Sequence, residues 1–331
     1  MSRRPTLVVG VLLLLVPLPM CTIAAAQSPD ADRSLRLAVE HDLIALRGGG
    51  PPPDYDYTHG TRFAAAWPGA PRWARRLAGG KPPCESVTAR DRGCVATILE
   101  LGQEIYTPRR DAAVPIAGER PYAGWLYASG IARAISPRRV RSVQLTLGVT
   151  GRPSLAADVQ NALHRVLSNE RQLGWAHQLA FEPGIAIRYD DRLTRERAFD
   201  GARAGRLGLS WGATVGNVRT ALHVGADARL GLRGMLPWVP AEPEIDRPMR
   251  LYVLTGYRQD VVLRDLFVEG NTLRASSGAE RRTIVGQYEL GIGVRRRAYT
   301  IEYRHVSRGR EYRAQPGSHA YGVLALVLHE Y

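Results

Sequence analysis

The chain has 331 residues, 45% of them hydrophobic and 7% aromatic, and a net charge of +14. That composition excludes a disordered tail or a coiled coil, and the length suits a single large all-β domain. All but one of the 45 basic residues are arginine, Lys81 being the exception, which points to a phosphate-rich partner, either nucleic acid or an anionic lipid headgroup.

The N-terminus separates those two partners. Arg3-Arg4, an apolar run from Leu7 to Leu18 and the small residues Ala24-Ala25-Ala26 read as a secretory signal peptide over residues 1–26, leaving 27–331 as one exported domain. Export disfavours nucleic acid and favours lipid. Leu18-Pro19-Met20 before Cys21 is too bulky for a lipoprotein signal. Cys84 and Cys94, ten apart in a Pro/Gly-rich segment, are expected to close a loop disulfide. No run of about 18 apolar residues follows the signal, so no membrane-spanning helix is expected.

Segments of about ten residues that alternate apolar with polar or small residues recur instead, the pattern of a transmembrane β-barrel. In chain order they are Leu35–Leu43, Tyr57–Trp67, Val95–Tyr106, Tyr122–Ala134, Arg139–Val149 and Gln178–Tyr189. Six more follow: Leu207–Val215, Val218–Leu230, Arg250–Leu263, Ile284–Val294, Tyr299–Val306 and Ala320–Tyr331. Twelve is an even number, as a closed single-chain barrel requires. The last segment puts Tyr321, Val323, Ala325, Val327, His329 and Tyr331 on one face and ends on an aromatic, which favours a barrel over a soluble sandwich. Gln144, Gln287, Glu289 and Glu302 sit mid-strand and are expected to face the lumen, because lipid would penalise them on the other face. The fold class is therefore all-β, a twelve-stranded antiparallel transmembrane barrel.

One stretch breaks the strand rhythm. From Leu155 to Leu167, apolar Leu155, Val159, Ala162, Leu163, Val166 and Leu167 recur at helical spacing, opposite Gln160, Asn161, His164 and Ser168. The reading is a short helix that buries its apolar side and presents the His164 imidazole to a groove.

An ordered set of short motifs resembles the LpxR-like family of outer-membrane lipid A 3-O-deacylases. It comprises Glu40-His41-Asp42, Tyr57-Thr58-His59-Gly60, Gly102-Gln103-Glu104-Ile105-Tyr106-Thr107-Pro108, Arg120-Pro121-Tyr122-Ala123-Gly124-Trp125, and the His164 helix. Gly174-Trp175-Ala176-His177-Gln178, Glu182-Pro183 and Gly270-Asn271-Thr272 complete it. The resemblance implies an active site between the barrel wall and the helix. It implies hydrolysis of the 3′-acyloxyacyl ester of lipid A in the outer membrane, with dependence on a divalent cation, usually calcium. By motif match His164 would be the general base and Asp42 the cation-holding carboxylate, with His41 beside it as a second metal candidate. Thr58 and Glu170 would line the site. Gln103, Tyr106 and Arg120 belong to motifs whose role can be structural.

The chemistry is coherent with that assignment. Ester hydrolysis needs a water deprotonated near neutral pH, which suits histidine, and a positive centre for the oxyanion, which a calcium ion held by oxygen ligands can supply. No Gly-x-Ser-x-Gly elbow is present. Where the family has Asn-Asp, this chain has His41-Asp42, exchanging an amide oxygen that suits calcium for an imidazole that suits softer metals, so the cation's identity stays open. Glu119 replaces the family's Asp and keeps the charge. Alternatives are an outer-membrane phospholipase or other acyl-ester hydrolase, and a non-catalytic porin-like barrel. Arginine runs at Arg109-Arg110, Arg138-Arg139-Arg141 and Arg295-Arg296-Arg297 suit a bis-phosphorylated lipid or anionic headgroups.

Overall fold

Twelve strands form in the expected order. They are β1 (Ser34–His41), β2 (Asp56–Trp67), β3 (Cys94–Thr107), β4 (Ala123–Ser136), β5 (Arg139–Thr150) and β6 (Pro183–Ala198). The second half holds β7 (Arg203–Gly216), β8 (Arg219–Leu232), β9 (Arg250–Asp265), β10 (Ile284–Arg295), β11 (Tyr299–Arg308) and β12 (His319–His329). Each strand pairs antiparallel with its neighbour, and β1 pairs with β12, for example Ser34 with His329, so no edge is left open. The computed structural model describes residues 33–46, 55–85, 92–166, 172–198, 203–232, 250–296 and 298–329. The expected signal peptide, Glu170 and the terminal Tyr331 lie outside them.

Strand alternation sets the two faces of the wall. On β12, Leu324, Leu326 and Leu328 are exposed outward while Val323 and Ala325 are buried inward. β7 exposes Leu207 and Leu209, and β5 exposes Leu145 and Leu147. The expected lumen residues are inside: Gln144 and Gln287 line a cavity of about 510 Å³, Glu289 pairs with Arg304, and Glu302 accepts a hydrogen bond from Tyr252 Oη. Five long connections, 42–55, 108–122, 151–182, 266–283 and 309–318, gather at one end, called here the loop end; both described chain termini lie at the other, the terminal end, with the connections 68–93 and 233–249 and three short turns.

Near the loop end the lumen is capped from within. Arg120, 1% exposed, reaches Glu311 at 3.1 Å and Asp56 at 3.7 Å, and its guanidinium stands over the Tyr106 ring at 4.9 Å. Tyr106 stacks on Phe267 of the short helix Leu266–Glu269, which packs with Trp125 and Leu179. At the terminal end, the β2–β3 connection carries a helix α1 (Arg72–Leu77) and the expected Cys84–Cys94 disulfide.

Three expected features are corrected. β1 stops at His41, and Asp42–Ile44 form a 3-10 turn. β6 begins at Pro183, not Gln178, and runs on to Ala198. Gln178–Glu182 instead form a clasp in which Ala180 exchanges hydrogen bonds with Asn271. The helix, α2 (Ala156–Val166), is rotated from the expected facing: Ala156, Gln160 and His164 are buried with Val159 half-buried beside them, while Leu155, Ala162 and Val166 are exposed together with Asp158 and Arg165. In water the apolar side would turn inward. A helix lying on the outside of a lipid-facing wall can leave apolar residues such as Leu155 and Val166 outward at no hydrophobic cost.

Candidate active site

The candidate site lies outside the barrel, where β1, β2 and β3 reach the loop end. Glu40 points into the lumen and accepts a hydrogen bond from Tyr57 Oη at 2.6 Å while pairing with Arg62 at 2.9 Å, so His41 faces outward by alternation. The His41 ring caps the following turn: its Nδ1 accepts from the Leu43 amide at 3.0 Å and lies 2.8 Å from Asp42 Oδ1. Asp42 is thereby held at 2% exposure. The turn is tied down on the outer wall, where Tyr303 Oη donates to the Ile44 carbonyl at 2.7 Å and the Leu46 amide donates to His305 Nδ1 at 3.2 Å. Gly322 lies beneath it, and a Cβ there would come within 2.3 Å of the Ile44 carbonyl oxygen.

A β-bulge re-aims Thr58. The β2–β3 register shifts between Tyr57 and His59. Tyr57 and Arg62 both line the lumen, so Gly60 also points inward by alternation, and Thr58 and His59 become two consecutive outward residues. Thr58, 1% exposed, shares a hydrogen bond of 2.7 Å with the Thr107 hydroxyl, itself on the outward row of β3 with Gln103 and Ile105. His59 packs edge-on against His41 and bonds Thr61 through Nε2 at 2.8 Å. Bulges next to active sites commonly serve to redirect a side chain in this way.

Helix α2 covers the neighbouring part of the wall. The chain enters it through Gly151 (φ 74°), a 3-10 turn and Leu155 in the left-handed region (φ 59°). Its start touches β4 so closely that a Cβ on Gly124 would lie 2.1 Å from Ser154 Oγ and 2.3 Å from the Ala156 Cβ. Gln103 Nε2 donates to the Ser154 carbonyl at 2.7 Å. Ala156 packs with Ile105, Tyr122 and Trp175, and Trp175 Nε1 donates to Gln160 Oε1 at 2.8 Å. His164, one turn beyond Gln160, is buried on the same face at 6% exposure.

Of the expected residues, His41 ends β1 with Asp42 in the turn after it, Thr58 lies on the adjacent strand β2, His164 is on the wall-facing side of α2, and Glu170 lies outside the described residues. Thr107, His59, Thr61 and the Gln160–Trp175 pair were not singled out from the sequence. Thr107 sits within the Gly102–Pro108 motif and Gln160 one turn before His164, which is the signal that could have found them. Two further motifs prove structural: Glu182 Oε2 accepts from Asn271 Nδ2, the Thr272 amide and the Leu273 amide. Burial works against the Glu182 charge, but these bonds and one from Asn217 outweigh it and hold its pKa below the usual carboxylate range.

The divalent cation that the family resemblance implies would need a set of oxygen ligands at this site. Among the described residues no three His, Cys, Asp or Glu side chains gather to hold a metal. His41 pairs with His59, and Asp42 and Thr58 each stand one residue beyond that pair, so the carboxylate and the bonded Thr58 and Thr107 hydroxyls are oxygen donors at one edge, a type that would suit a hard cation completed by carbonyls and water better than a soft one. His41 Nδ1 is already engaged by the Leu43 amide and the Asp42 carboxylate.

A family model described as outer membrane protein LpxR matches residues 7–329. Among solved structures, LpxR from Salmonella typhimurium superimposes with a TM-score of 0.71 at 17% identity, covering 89% of this chain and 99% of that one. The β domain of the Bordetella autotransporter BrkA gives 0.46 at 12% identity, covering 91% and 100%, and the translocator domain of NalP from Neisseria meningitidis 0.36 at 11%, covering 92% and 90%. No curated protein matches the sequence.

Proposed function

This chain belongs to the LpxR family of outer membrane proteins, and from that premise we propose that it is a lipid A 3-O-deacylase that hydrolyses the 3′-acyloxyacyl ester on the outer wall of its barrel. The observation that carries the reading is a set of buried polar groups outside the lumen: the bonded Thr58 and Thr107 hydroxyls on the outer wall and the buried Asp42 in the turn after β1, with a helix on the same outer wall that turns Gln160 and His164 toward it. Buried polar groups on a lipid-facing surface are costly and need a reason. A membrane-embedded substrate reaches such a site laterally, without entering the lumen. The cap around Arg120 argues against a porin.

In this reading His164 accepts a proton from the attacking water and returns it to the leaving sugar oxygen, the general base and general acid roles of ester hydrolysis. The Trp175–Gln160 bond fixes the turn of α2 from which His164 projects. Asp42, with His41 beside it, flanks the cation position, and the carboxylate is oriented by the turn that His41 caps. A bound calcium would supply the positive charge that stabilises the oxyanion. Thr58 and Thr107 line the wall side, and Glu170 is kept as a site-lining proposal. The leader over residues 1–26 remains part of the proposal. Purified protein should release an acyloxyacyl group from lipid A only with a divalent cation, and calcium is the first to test. Release from phospholipid but not lipid A would replace the reading by a phospholipase. Conductance without hydrolysis would replace it by a pore.

A further inference from the structure

The barrel carries a second helix outside its wall, at the terminal end. Helix α1 packs against β3 and β4, the same two strands that carry α2. Its contact runs through Ala78, which clusters with Val95 and Ala134. Val95 belongs to the outward row of β3 with exposed Leu99 and Leu101, and Ala134 is its partner on β4, so α1 lies outside the barrel. Ala74 is fully buried on the same side.

The remaining residues divide by helical angle. Trp73 and Leu77, one turn apart, are 50% and 58% exposed; Arg72, Arg75 and Arg76 are exposed on the far side. The lobe is clasped to the barrel by the Cys84–Cys94 disulfide, by Cys84 N–H to the Pro68 carbonyl and by Val95 N–H to the Pro82 carbonyl, each at 2.8 Å. An exposed tryptophan and leucine beside three arginines, rigidly held, is the composition of a helix lying in a membrane interface.

Its depth agrees. From Val95 under α1 to Ile105 under α2, β3 runs ten residues, which is about 34 Å of strand. At a tilt of about 40° that is about 26 Å along the barrel axis, close to the apolar band of about 25 Å on outer-membrane barrels. The two outside helices therefore mark the two edges of the hydrocarbon. Five of the six connections at the loop end are long, whereas three of the five at the terminal end are turns of two to four residues; with long loops facing outward from the cell and short turns the periplasm, α1 lies at the periplasmic-side leaflet. Arg138, Arg141 and Arg295 stand on the same rim.

We propose that α1 is an interfacial clamp that binds the phosphate headgroups of anionic glycerophospholipids in the periplasmic-side leaflet, with Trp73 and Leu77 seated among the upper acyl carbons. The test uses the full chain in vesicles of phosphatidylcholine and phosphatidylglycerol brominated near the headgroup. The Trp73 signal is taken as the difference between wild type and Trp73→Phe. In parallel, phosphatidylglycerol bound in neutral detergent is counted by native mass spectrometry for wild type and for the combined Arg72→Gln, Arg75→Gln, Arg76→Gln variant. Trp73 should be quenched, and phosphatidylglycerol binding should fall about fivefold per arginine removed, with phosphatidylcholine binding and the thermal transition unchanged. A Trp73 signal that bromine does not quench overturns the proposal, and so does a triple variant that binds phosphatidylglycerol like wild type.

Discussion

Helices α1 and α2 lie on the outside of the same two strands, at opposite edges of the membrane, and turn opposite kinds of face to the wall. α1 gives the wall its alanines and keeps tryptophan, leucine and arginine for the surroundings. α2 gives the wall Gln160 and His164 and leaves Leu155 and Val166 outside. A helix held only for anchorage buries its least demanding side chains. One that buries a glutamine and a histidine against a lipid-facing wall carries groups that cost free energy unless they are partnered, as Gln160 is by Trp175, and on the deacylase proposal that cost serves the chemistry.

The strongest way to break this contrast is to remove the groups that α2 and its neighbouring turn supply. His164→Ala should lower deacylation by about a thousandfold, the scale of a lost general base, and Asp42→Ala should do the same and abolish any calcium dependence. Neither should change the barrel's thermal transition, since His164 and Asp42 lie outside the strand ladder. A smaller loss is expected for Trp175→Phe, which keeps the ring but leaves Gln160 Oε1 without its donor. At about 1–3 kcal/mol for a buried orphaned group, the rate should fall about tenfold. Thr58→Val removes one hydroxyl of the Thr58–Thr107 pair and should cost roughly fivefold in rate. On the other side of the comparison, the triple glutamine variant of α1 should leave the rate in detergent unchanged.

The cap offers a pH test that separates fold from site. Burial opposes the Glu311 charge, but Arg308 and Arg120 outweigh it and hold its pKa well below the usual carboxylate range. A depressed folded-state pKa contributes stability that is present above the unfolded value of about 4.3 and is lost as pH falls through the folded one. Loop-end proteolysis should therefore rise on acidification below about pH 4, and less steeply in Glu311→Gln, which starts from a weaker cap.

The barrel was legible because lipid outside and charge inside force a period of two on each strand. β6 was misplaced for a physical reason. Asp190 and Asp191 are consecutive charges, one bonded to Arg188 inside and the other to Arg139 outside, and they interrupt the alternation although the strand continues. The site was legible only in part. His41, Asp42 and His164 stood in motifs, but the bulge that turns Thr58 outward leaves no mark on local composition. The facing of α2 was read only in part, because hydrophobic periodicity shows which side is apolar, not whether lipid or protein receives it.

The most direct measurement is mass spectrometry of lipid A from cells expressing wild type or His164→Ala, with and without added calcium. The account predicts the loss of one acyloxyacyl chain in wild type with calcium and intact lipid A in the variant. Equal loss in both strains would contradict His164 as the base, and intact lipid A in both would contradict the deacylase reading itself.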